Sequence, residues 1–157
     1  MCDYSLFAFP NRLGLDGDEL VVYRFSSGCT GFVGAADLSA GNSRRTLSAI
    51  NWPQLKYWFF LRSRRNGPPA VCVPPGAHVR LEPVDCGLRQ RLGLEESEEA
   101  VFIQLTADEF SHRDGLQFRN GGLVSLQEVP TGQRAYIVST SGLPEETQGA
   151  SFLEIFE

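Results

Sequence analysis

Of the four cysteines and two histidines in this sequence, five could join in one transition-metal site: Cys2, Cys72, Cys86, His78 and His112. Sulfur and nitrogen donors of this kind build four-coordinate zinc and iron sites. None of the five belongs to a Cys-x-x-Cys or His-Glu-x-x-His motif, so a site has to be assembled from separate strands. The set this suggests is Cys2 and Cys72 with Cys86 or His78, around one zinc or iron ion. The plainer reading makes Cys72 a small buried hydrophobe, Cys2 a terminal thiol and His78 a surface strand residue. The turn Pro74-Pro75-Gly76 bears on the choice. A three-residue loop pairs Cys72 with His78, a two-residue loop pairs it with Val79, and strand alternation makes the two exclusive.

Two further arrangements could carry chemistry. Removal of Met1 would give Cys2 a free α-amino group able to act as base for its own thiol, as in N-terminal nucleophile enzymes, but the sequence shows no matching pocket or oxyanion hole. His112, Arg113 and Asp114 offer an acid-base group, an anion clamp and a carboxylate just before a strand. They suit an acidic ligand, an internal ion pair or a solvated turn. A phosphate-cradling Gly-rich loop with Lys and a Gly-x-Ser-x-Gly elbow are both missing from the sequence, which favours binding over catalysis.

A further chemical signal is electrostatic. Residues 41–68 hold Arg44, Arg45, Lys56, Arg62, Arg64 and Arg65 and no acid, a charge of +6, while the rest of the chain sets eight basic against nineteen acidic residues, a balance of −11. Tyr57, Trp58, Phe59 and Phe60 lie among these cations. Aromatic and basic residues together bind single-stranded nucleic acid or a membrane interface. An acidic body would repel a phosphate backbone, which makes nucleic acid the less suitable partner. Leu55, Trp58, Phe59 and Arg62 fall on one helical stripe, so this face is expected to pack on the domain or to dock a protein partner or a second copy, through Trp58, Phe59 and Arg62.

These groups need elements to position them. The spacing predicts short strands at Tyr4–Phe9, Glu19–Phe25, Thr30–Val33, Ala70–Val73, His78–Pro83, Ala100–Leu105, Gly115–Arg119, Leu123–Val129 and Arg134–Ser139, the last three as an antiparallel meander. Residues 34–51 are rich in Gly, Ala, Ser and Asn and read as loop. Asn51, Pro53 and Gln54 predict a helix start, and Asn66-Gly67-Pro68-Pro69 a stop, giving a helix over 52–65 within a helical insertion at about 39–66. A second helix is expected at Gly87–Leu92, capped by Asp85 and ended by Gly93. Residues 140–157 read as a mobile tail whose Phe152, Leu153, Ile155 and Phe156 form an apolar cluster.

The opening Met1-Cys2-Asp3-Tyr4-Ser5-Leu6, then Asn11-Arg12 and Gly17-Asp18-Glu19-Leu20-Val21-Val22 leading to Arg24-Phe25, resembles a family of small bacterial proteins without an assigned activity. Ala70-Val71-Cys72-Val73-Pro74-Pro75-Gly76 and the run from His112 to Gln127 are similar to the same family. Residues 39–66 and the tail depart from it. The resemblance therefore implies a shared frame and leaves any role of the insertion particular to this chain.

With 157 residues, 42% of them hydrophobic and 21% charged, the chain has the length and composition of a single packed domain. The opening residues show no signal-peptide pattern and no stretch reaches transmembrane length, which points to a cytoplasmic protein with reduced cysteines. The expected fold is mostly β, a small antiparallel barrel-like domain, or alternatively a sandwich, with a helical insertion at about 43–65. The expected function is a non-catalytic binding or accessory module. A metal-binding protein and a small enzyme using Cys2 are the alternatives.

Overall fold

The computed structural model describes residues 9–41, 67–108 and 110–141. The chain is mostly β, with nine strands in one sheet: β1 (Asn11–Leu13), β2 (Glu19–Arg24), β3 (Thr30–Gly34), β4 (Ala70–Cys72), β5 (His78–Leu81), β6 (Glu98–Gln104), β7 (Asp114–Phe118), β8 (Leu123–Ser125) and β9 (Arg134–Ser139). Two short helices accompany them among the described residues, α1 (Ala35–Gly41) and α2 (Cys86–Leu92), and a 3-10 turn over Leu126–Glu128 follows β8. No described helix is long and apolar enough to cross a membrane.

The strand order is β1-β4-β3-β2-β9-β5-β6-β7-β8. The first four strands form one half of the sheet and β5 to β8 the other, and β9 joins them by pairing with β2 on one side and β5 on the other. All pairings are antiparallel except β1 with β4. The expected meander ends early: β7 pairs with β8, but β8 does not pair with β9. The expected strand over Leu123–Val129 is β8 followed by the 3-10 turn, whose start is capped by Ser125 accepting from the Gln127 N–H.

The sheet is neither a sandwich nor a closed barrel, but it curls. Strands β3 and β6 are separated by three others, so in a flat sheet they would lie about 19 Å apart at ~4.8 Å per strand. The rings of Phe32 on β3 and Phe102 on β6 are nevertheless 6.3 Å apart. Leu20, Val22, Val79, Leu81, Leu116, Val124 and Ile137 fill the enclosed face around them. Burial of a side chain of this kind contributes about 1.5–3 kcal/mol.

β3 is buried along its whole length because both of its faces are covered. Phe32 faces the main core, while Val33 belongs to a second cluster with Phe25, Cys29 and Ala70, packed by Phe9, Val21, Tyr23 and Leu38. Leu38 lies on α1, a helix formed within the segment expected to be loop. Helix α2 matches its predicted place: the Asp85 carboxylate accepts from the N–H groups of Gly87 and Leu88, and Gly93 ends it at φ 65°. The expected strand at Tyr4–Phe9 (but for Phe9), the helix over 52–65 and residues 142–157 lie outside the described residues.

Candidate functional site

The alternation of β5, β6 and β7 turns Val79, Ala100, Phe102, Leu116 and Phe118 into the core and leaves the residues between them outside. The register then lines His78, Val101 and Gln117 in one row across the outer face. Arg80 and Glu99 face each other in the next row, and Arg119, two residues beyond Gln117, reaches Glu99. Each oxygen of Glu99 accepts from a different arginine, Oε1 from Arg80 Nη2 at 3.0 Å and Oε2 from Arg119 Nη2 at 2.6 Å. The Arg80 hydrogen bond and the Arg119 charge hold the Glu99 carboxyl below its ordinary pKa. Between the rows is a hollow of about 150 Å³, lined by the side chains of His78, Glu99, Val101, Gln117 and Arg119.

A second hollow of about 300 Å³ lies where the Pro83–Asp85 segment meets the Pro130–Gly132 turn. Gln133 borders it and is buried, but its amide is already engaged. Oε1 accepts from the Asp85 N–H, and Nε2 donates to the carbonyls of Pro83 and Arg134. This amide ties the start of β9 to the loop before α2 and has a structural task. The Arg134 guanidinium at the rim is paired with Glu19.

A third charged group stands at the other end of the sheet. Arg12 on β1 pairs with Asp18 at 2.6 Å and with Asp37 of α1 at 3.6 Å. Gly34 leaves the space for this: a Cβ there would stand 2.5 Å from Asp37 Oδ2 and 2.9 Å from Arg12 Nη2. Burial alone would raise the Asp18 carboxyl, but hydrogen bonds from Arg12 and from the Leu15 N–H hold it below its ordinary pKa.

The cysteines divide. Cys72 is disulfide-bonded, so its sulfur is no thiolate ligand, and the expectation of four reduced thiols is corrected. Its partner lies outside the described residues, as does Cys2. Cys29 is buried and free, and Cys86 is exposed and free at the start of α2. Both proposed loops at Pro74-Pro75-Gly76 are also corrected, because β4 and β5 do not pair at all. Cys72 sits on β4 between β1 and β3, while His78 is exposed on β5 beside β6 and β9. Among the described residues no three His, Cys, Asp or Glu side chains come together as a metal site.

His112 is exposed in the connection between β6 and β7, Arg113 is half-buried, and Asp114 opens β7 at 6% exposure. The reading of all three as a solvated turn therefore fails for Asp114. Trp58, Phe59 and Arg62 lie outside the described residues. The Arg80–Glu99–Arg119 row was missed in the sequence, where its members stand far apart and only the strand register brings them together.

No family model, curated protein or solved structure matches this chain.

Proposed function

We propose that this protein is a non-catalytic binding module whose curled sheet is a frame for the insertion at 39–66. One observation carries the reading. Leu38, near the end of α1 where the insertion begins, and Ala70, at the start of β4 where it ends, pack in one cluster with Val33 and Phe25. The Arg12–Asp37 pair fastens α1 a second time, to the strand that lies beside β4. Both roots of the insertion are thus fixed to one spot on the frame. Long excursions from a compact domain are usually functional or disordered, and this one carries the chain's +6 segment on an otherwise acidic body.

In this reading Trp58, Phe59 and Arg62 dock a protein partner or a second copy of the chain. Buried Trp and Arg are the residue types that dominate such interfaces. The bacterial family resemblance is part of the same proposal, and the disulfide at Cys72 favours a setting that is not permanently reducing. The test compares the intact protein with Trp58→Ala by sedimentation, partner capture and thermal melting. Unchanged melting with lost association supports the docking reading. A variant that associates as before and melts several degrees lower, as a core aromatic truncation would, sinks it.

A further inference from the structure

We propose that the hollow across β5, β6 and β7 binds a phosphoryl group, a role separate from the docking of the insertion. The argument begins with unused donors. Among the described residues, the only partner of the Arg119 guanidinium is Glu99, through Nη2, so Nε and Nη1 remain for a ligand. At 78% exposure the Arg119 side chain can turn without disturbing the core. Gln117 on β7 and His78 on β5 line the hollow with it, and both are exposed. Three donor-bearing side chains, two on strands that pair with β6 and Arg119 in the turn directly after β7, thus border one space.

Charge favours an anion there. Arg80 and Arg119 outnumber Glu99, and Glu99 keeps Arg80 as a partner when a ligand oxygen takes its place at Arg119. The group is positive on a body whose charge outside residues 41–68 is −11, so an anion is attracted locally where the body as a whole repels it. Arginine recognises phosphoryl and carboxylate oxygens by charge-assisted hydrogen bonds. Donors from three separate side chains around one space suit a tetrahedral group better than a planar one. The volume of about 150 Å³ is several times the ~30 Å³ share of one water, enough for a phosphoryl group with its first substituent. The acidic body disfavours a polyanionic strand, which leaves free phosphate or a small phosphate ester.

The experiment titrates the full-length protein with inorganic phosphate, with glycerol phosphate and with acetate at constant ionic strength, following backbone amide shifts by NMR. Saturable shifts centred on His78, Gln117 and Arg119 with either phosphate, absent with acetate, are expected. Tighter binding of glycerol phosphate identifies an ester as the source, and tighter binding of inorganic phosphate identifies the free ion. Arg119→Gln should weaken binding about tenfold, the loss expected for one charge-assisted contact, with melting unchanged because the side chain is exposed. Gln117→Ala should weaken it less. Equal responses to acetate, shifts that never saturate, or an Arg119→Gln variant that binds as the parent does would each overturn the proposal.

Discussion

The side-chain amide of Gln127 pairs with the main chain of Thr30 as a neighbouring strand would. The Thr30 N–H donates to Gln127 Oε1 at 3.0 Å, and Gln127 Nε2 donates to the Thr30 carbonyl at 2.9 Å. The two residues lie 97 positions apart, on β3 and on the turn that follows β8. The amide therefore links one half of the sheet to the far edge of the other and holds the curl where the strands themselves do not meet.

Gln127→Ala removes both hydrogen bonds and leaves a partly buried peptide unit without partners. Each unsatisfied group costs on the order of 1–3 kcal/mol, so a loss of about 2–3 kcal/mol is expected in urea unfolding. A change below roughly 0.5 kcal/mol, the range of ordinary surface substitutions, would show that the curl does not depend on this contact.

Gly115→Ala should also destabilise. A Cβ there would stand 2.7 Å from the Leu105 side chain and 2.9 Å from the Val124 carbonyl. The leucine can turn, but the carbonyl belongs to the paired strand β8. Overpacking against main chain costs about 1–3 kcal/mol, to be read from the midpoint of thermal unfolding. An unchanged midpoint would mean that β8, an edge strand, moves away freely.

Acid stability should depend on Asp18. Its carboxyl is held below the ordinary value in the folded chain, so its contribution is complete above the unfolded-state pKa near ~4. That contribution is lost as pH falls through the lower folded-state value. Asp18→Asn should be less stable than the parent at neutral pH, and the two should converge below about pH 3. Parallel stability curves across this range would exclude the linkage.

The Cys72 disulfide should be visible in thiol counts. Alkylation of the denatured, unreduced protein should label Cys29 and Cys86, which are free, and reduction should release two more thiols. Removing the crosslink by Cys72→Ser should cost about 2–4 kcal/mol. Full labelling of the four cysteines without reductant would contradict the bond.

The local grammar of this fold is readable in the sequence, and its pairings are not. Gly17, Gly28, Gly76, Gly121 and Gly132 all sit at positive φ, in the turns that Asp-Gly, Ser-Gly, Asn-Gly and Pro-x-Gly signals mark. Asp85 and Gly93 bound α2 as their types require. Strand partners, by contrast, are decided across the whole molecule. The Pro74–Gly76 turn has the chemistry of a hairpin but hands the chain from one half of the sheet to the other. β1 escapes notice because Asn11-Arg12-Leu13 has no apolar alternation, its inner position being taken by the paired Arg12. Helix α1 was hidden by glycine and serine, although Ala35, Ala36 and Leu38 favour helix and Asp37 suits its first turn. The Glu99 site shares that limit: Arg80, Glu99 and Arg119 have no meaningful spacing in the chain until register sets them side by side.

The central place of β9 has a consequence for biosynthesis. β1 to β4 and β5 to β8 are laid down first, yet no strand of one pairs with any strand of the other. Until Arg134–Ser139 leaves the ribosome, two half-sheets each expose an unsatisfied edge, on β2 and on β5, of the kind that recruits other chains. That one later segment seals both edges at once, and a chain released before it is made would be a candidate for aggregation or degradation.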